Sequence, residues 1–171
     1  MGTVLNCRAN MKKKSAAAGE KIFVFKVSLI GDSSVFRELA LLETQTLYNF
    51  AEAIIDSFDF DFDHCFGFFN NVKNWYRAER QYELFKDVGE ECKPGTKSVK
   101  KTKLREAFFE DKKMLFLFDY GDEWKFIVEL VREEKSAFAA NKKYPLLLQK
   151  IGSSPEQYPD EEDGEENSRV N

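Results

Sequence analysis

Two stretches of alternating side chains confine the fold of this chain more than any other feature: Phe23, Phe25, Val27 and Leu29 against Val24, Lys26 and Ser28, and later Trp124, Phe126, Val128 and Leu130. A period of two places each set on one face of a strand, so both segments are expected to lie in a sheet with that face on a core. Between them Met114–Phe118 is apolar on both faces, the pattern of a central strand. The chain contains 17 Phe among its 171 residues, so its interior must be filled largely by rings, which suit a pleated surface better than a helical bundle. Its length fits one domain.

The sequence divides this domain from its ends. Residues 1–20 mix Lys, Ala, Ser and Gly without periodicity, and residues 160–171 carry six acids against Arg169. Neither end has the apolar area to offset the entropy of ordering, so both are expected to be disordered, leaving 21–159 as the folded unit. Within it, Gly31 to Ser34 turns the first strand into a hairpin whose second arm is Val35–Leu42. Thr46 suits the N-cap of a helix with the stripe Leu47, Phe50, Ala51, Ile54, Ile55 and Phe58. His64–Asn71 reads as a strand, Gln81–Phe85 as a weaker one, Thr102 as the cap of a short helix and Tyr144–Ile151 as a further short helix. The expected architecture is α+β: a mostly antiparallel or mixed sheet with one long and one short helix packed on one face, in the order β-β-α-β-(β)-α-β-β.

Charge and cysteine usage narrow the function classes. The net charge is −4, and outside the basic start and acidic end the chain is near neutrality, which does not oblige a nucleic-acid or anionic-membrane partner. Cys7, Cys65 and Cys92 lack the CxxC spacing of zinc or redox sites and point to a reducing cytoplasm. No run reaches the ~18 apolar residues of a spanning helix, and no secretory segment follows the N-terminal lysines. No phosphate-cradling glycine loop, GxSxG or HExxH occurs, so no cofactor or metal is expected.

Several groups of residues could carry chemistry. Asp119, Gly121 and Asp122 lie in the turn Phe118 to Trp124, where Gly121 would take a positive φ and the carboxylates would either satisfy turn amides or hold a cation. Asp59, Asp61 and Asp63 alternate with Phe60 and Phe62, but His64 and Asn70 occupy the positions where a calcium loop needs Gly and Glu. His64, the only histidine, precedes Cys65, and adjacent strand residues face opposite sides, so the pair is not expected to act as nucleophile and base. Lys97, Lys100, Lys101, Lys103 and Arg105 belong to a run uninterrupted by acids, with Trp75 and Tyr76 upstream, which could track phosphates.

The hairpin Phe118-Asp119-Tyr120-Gly121-Asp122-Glu123-Trp124 resembles the Tyr-Asp-Phe-Gly-Asp-x-Trp signature of the plasmid pRiA4b ORF-3-like family. The strand Phe23–Leu29, the helix Leu47–Phe58, Asp63-His64-Cys65-Phe66 and the stretch Gly152 to Tyr158 are similar too, so the resemblance spans residues 21–159. It implies a compact α+β domain with no assigned activity, in a family with some members encoded near mobile elements. One departure concerns Phe126, which stands where the family often has a His, so a shared His-based site is disfavoured.

The expected function is therefore a non-enzymatic binding or adaptor domain for a protein or peptide, with Trp75, Tyr76, Tyr82 and Trp124 as candidate anchors. One alternative is a nucleic-acid-associated accessory protein of a mobile element using the 93–105 loop. Another is a metal-assisted hydrolase at Asp119, Asp122 and His64. No membrane partner is expected.

Overall fold

A computed structural model describes residues 11–135 and 142–159. Among these, an eight-stranded sheet is the backbone of the fold. In chain order the elements are β1 (Lys14–Ser15), β2 (Lys21–Leu29), β3 (Asp32–Leu42), α1 (Leu47–Ser57), β4 (Phe66–Phe69), β5 (Gln81–Glu83), α2 (Leu84–Val88), β6 (Lys97–Ser98), α3 (Leu104–Ala107), β7 (Lys113–Phe118), β8 (Trp124–Lys135), β9 (Lys143–Tyr144) and β10 (Leu146–Ile151). The sheet runs β10-β3-β2-β8-β7-β4-β5-β6, and β1 with β9 forms a separate two-stranded ladder. Neighbours are antiparallel except β5 and β6, so the sheet is mixed and the fold is α+β.

The two alternating segments pair with each other at the centre of the sheet: Phe25 faces Leu130 and Val27 faces Val128 across β2 and β8. Their shared apolar face meets α1. Thr46 caps this helix, its hydroxyl accepting the Asn49 amide at 3.2 Å while the Asn49 side chain accepts the Thr46 amide at 3.2 Å. Two orphan donors of the first turn are thereby satisfied, and the helix lays Leu47, Phe50, Ala51, Ile54 and Ile55 on the sheet. Phe23, Phe25, Ile54, Phe116 and Phe126 share this one interior. The opposite face is covered only in part: Phe69, Ala78, Leu115 and Leu117 are buried beneath Trp75 and Tyr120.

Arg37 occupies the core-facing register of β3 and is fully buried. Its guanidinium lies 4.2 Å from the Phe58 ring centre and donates to the carbonyls of Phe36, Ser57, Ile151 and Gly152 and to the Ser154 hydroxyl. A buried cation that makes five charge-assisted bonds is stabilised without a carboxylate partner, and here it fastens three segments together. They are the end of α1, strand β3 and the chain leaving β10.

Several boundaries differ from expectation. Tyr144–Ile151 is not a helix but β9 and β10, because the apolar run after Pro145 extends along the open edge of β3 and pairs there. The strand expected at His64–Asn71 contracts to β4, with His64 and Cys65 in the approach to it. Gln81–Phe85 splits into β5 and the start of α2, a short helix that was not expected. Lys103, not Thr102, is the N-cap of α3; the Thr102 carbonyl instead accepts the Leu47 amide at 3.0 Å. β3 begins at Asp32 rather than Val35. β1 falls within the segment expected to be disordered, since Lys14 and Ser15 pair with Tyr144 and Lys143. Residues 1–10 and 160–171 lie outside the described residues.

Candidate functional site

Three segments meet at one end of the sheet: the turn between β7 and β8, the loop Asp59 to Cys65 after α1, and the chain from Gly152 to Pro159. The turn is built on Asp119. Its amide donates to the Cys65 carbonyl at 3.0 Å, and its Oδ1 accepts the amides of Gly121 at 2.8 Å and Asp122 at 3.3 Å. A carboxylate that collects backbone donors in this way fixes a tight turn. The left-handed conformation falls on Asp119 and Glu123, with φ of 59° and 52°, and not on Gly121 as expected. Gly121 answers a different need, because a Cβ there would lie 3.2 Å from Asp119 Oδ1.

The second Asp119 oxygen faces His64, with Nε2 and Oδ2 3.5 Å apart. On the other side of the ring, Nδ1 is 2.8 Å from Asp63 Oδ1 and 3.3 Å from the Tyr158 hydroxyl. The hydrogen bond with Asp63 raises the His64 pKa most, burial opposes it, and the charges of Asp63, Asp119 and Asp122 add to the increase. Burial works to raise the Asp63 carboxyl, but hydrogen bonds from Tyr158 and His64 bring it below its usual range. Asp63 thus holds Nδ1 by a hydrogen bond, while Nε2 has the Asp119 carboxylate beside it at ion-pair distance only. Among the described residues no group of three or more His, Cys, Asp or Glu side chains is placed to hold a metal ion.

The C-terminal chain is pinned over this cluster. Ser154 donates to Asp59 at 2.9 Å, the Gln157 side chain accepts the Asp61 amide at 2.7 Å and donates to its carbonyl at 3.1 Å, and Tyr158 donates to Asp63 at 2.7 Å. A groove of about 560 Å³ lies between this chain and the hairpin ends, lined by Leu29, Ile30, Asp122 to Lys125 and Gln157 to Pro159. Ile30 is 40% exposed and Tyr158 46% exposed. Trp124 packs edge-on against Phe60, with ring centres 4.8 Å apart. Among the described residues its buried indole Nε1 has no hydrogen-bond partner.

The remaining candidates lie elsewhere. Trp75 and Tyr76 occupy a 3-10 turn and stack at 3.7 Å, beside a second groove of about 330 Å³ that includes Glu83, Phe85, Cys92 and Tyr120. Burial and a 2.7 Å hydrogen bond to Glu83 raise the pKa of Tyr120. Tyr82 is not a surface anchor: it is 2% exposed and belongs to the main core, because its β5 register points it inward. Lys97, Lys100, Lys101 and Arg105 are exposed and Lys103 is half-buried. Among the described residues none of the five forms an ion pair. Cys65 and Cys92 are free, and burial first raises both thiol pKa values, against the thiolate form a nucleophile needs.

Sequence reasoning brought together His64, Asp119, Asp122 and Trp124 but missed Ile30 and the pinned Gln157 and Tyr158. The available signal was the Gly152 to Tyr158 stretch, whose polar residues match the polar loop it lies on. One family model matches residues 21–165, a span that includes the hairpin and this pinned end. The chain belongs to the plasmid pRiA4b ORF-3-like family. A solved structure with the fold of this plasmid pRiA4b ORF-3-like chain is that of a protein of unknown function, MM3350, from Methanosarcina mazei Go1. It is 23% identical, with a TM-score of 0.63, and the match covers 81% of this chain and 73% of that one. No curated protein matches the chain. No helix among the described residues is long and apolar enough to cross a membrane.

Proposed function

We propose that the chain is a non-enzymatic binding domain that seats a protein or peptide segment in the groove between Ile30, Trp124 and Tyr158. The observation that carries this reading is the groove itself, lined by Trp124 and by the exposed side chains of Ile30 and Tyr158. Aromatic side chains in a concave surface are the usual anchors of such contacts. His64 is tied to Asp63 through Nδ1, and burial raises both thiol pKa values, so the cysteines offer no ready nucleophile.

The test is selection of a phage-displayed random decapeptide library on the intact chain. Peptides recovered by it should fail to bind the Ile30→Glu variant and bind the Tyr76→Ala variant as before. Peptides indifferent to Ile30→Glu but lost with Tyr76→Ala would move the site to the second groove and overturn this reading.

A second reading rests on the basic surface. Lys97, Lys100, Lys101, Lys103 and Arg105 have no carboxylate at ion-pair distance among the described residues, as a phosphate-tracking surface requires. A nucleic-acid accessory role, such as some relatives' mobile-element setting suggests, predicts oligonucleotide binding that falls steeply with salt and is lost in the Lys100→Glu, Lys101→Glu, Lys103→Glu triple variant. Salt-independent binding would remove it.

A further inference from the structure

Resting on that reading, we propose that the groove selects a segment bearing an arginine or lysine side chain, with Asp122 as its counter-ion. Asp122 lines the groove and is exposed, and among the described residues no cation lies within ion-pair distance of it. The neighbouring carboxylates are already engaged: Glu123 holds Lys125 at 2.5 Å, Asp119 holds the turn amides and His64, and Asp63 holds His64 and Tyr158. Counting these groups, four carboxylates stand against the two cations His64 and Lys125, so the mouth of the groove has a negative potential even with His64 protonated.

The uncharged part of the lining fits the same ligand. A guanidinium or ammonium within about 6 Å of an aromatic face is attracted to it, and Trp124 and Tyr158 supply two such side chains beside Asp122. Leu29 and Ile30 offer apolar surface to the methylene stem. Arginine is favoured over lysine because its planar, weakly hydrated head loses less on leaving water and can meet a carboxylate with two N–H groups. The same charges repel an acidic segment or a phosphate, which sets this groove apart from the basic surface that runs from β6 to the start of α3.

The test uses the decapeptides selected on the intact chain, resynthesised with acetylated and amidated ends, and titrated by calorimetry. They are expected to be enriched in Arg or Lys. Replacing that arginine by citrulline, which keeps the shape and removes the charge, should weaken binding by about tenfold or more. With the Asp122→Asn variant the arginine and citrulline peptides should bind alike. Because the Asp122 side chain makes no hydrogen bond in the turn, circular dichroism of this variant should be unchanged. Selected peptides that lack basic residues, or citrulline peptides that bind the intact chain as tightly, would overturn the charge selection while the groove survives as a binding site. Peptides unaffected by Ile30→Glu would overturn the groove reading instead.

Discussion

Arg37 and His64 show how differently one charge can serve a fold. Arg37 is fully buried and holds carbonyls of three segments, so Arg37→Met leaves the acceptors of Ser57, Ile151 and Gly152 without donors. Only the Ser57 carbonyl becomes a buried orphan, since Ile151 and Gly152 are exposed, so a loss of about 1–3 kcal/mol is expected, read as a fall in the urea midpoint. Arg37→Lys should recover little, since one ammonium cannot span those acceptors. His64 is half-exposed, and its effect is one of pH. Its folded pKa is raised, chiefly by the Asp63 hydrogen bond, so its stabilisation is fully present below about 6.5 and is lost as pH rises through the folded value. The difference in urea midpoint between the intact chain and His64→Gln should shrink across that window. NMR titration of this single histidine should give a pKa above 6.5 that drops in Asp63→Asn. A value at or below 6.5 would contradict an imidazole held by Asp63. Arg37 was visible in the sequence only as one charge on the buried register of a strand, and its function as a pin depends on a segment more than a hundred residues away.

At the scale of elements, local pattern and tertiary competition can be told apart. The capped helix α1 and the strands β2, β7 and β8 were legible because each has a clear period and a marked boundary. β10 was not, because Leu146, Leu147 and Leu148 suit a helix or a strand equally, and the open edge of β3 decides between them. α2 was hidden for a related reason: it is five residues long, too short to display a helical period. Glycine at β4 is another case where contact and not pattern matters. Gly67 faces the partly covered side of the sheet, where a Cβ would lie 2.8 Å from the Phe69 ring and 2.9 Å from the Tyr120 hydroxyl. Gly67→Ala must therefore displace the Tyr120 bond to Glu83, and a loss of about 1–3 kcal/mol is expected in thermal unfolding. A variant as stable as the parent would show that this corner of the sheet is looser than its packing indicates.

Over the whole molecule, one sheet separates a ring-filled core from a face that is only partly covered, and the ends of its hairpins build the groove. The sequence located the turn residues Asp119, Asp122 and Trp124 because turn chemistry is local. It could not locate Ile30 and Tyr158, which reach the groove only when the first hairpin and the C-terminal chain converge on that turn. The protein has two tryptophans, Trp75 and Trp124, one in each groove, and each contributes one indole N–H signal to a nitrogen-15 spectrum. Titration with a selected arginine decapeptide should shift the Trp124 indole signal and leave that of Trp75 in place. A shift of the Trp75 signal alone, or of neither at saturation, would contradict the assignment of the binding site to the Ile30, Trp124 and Tyr158 groove.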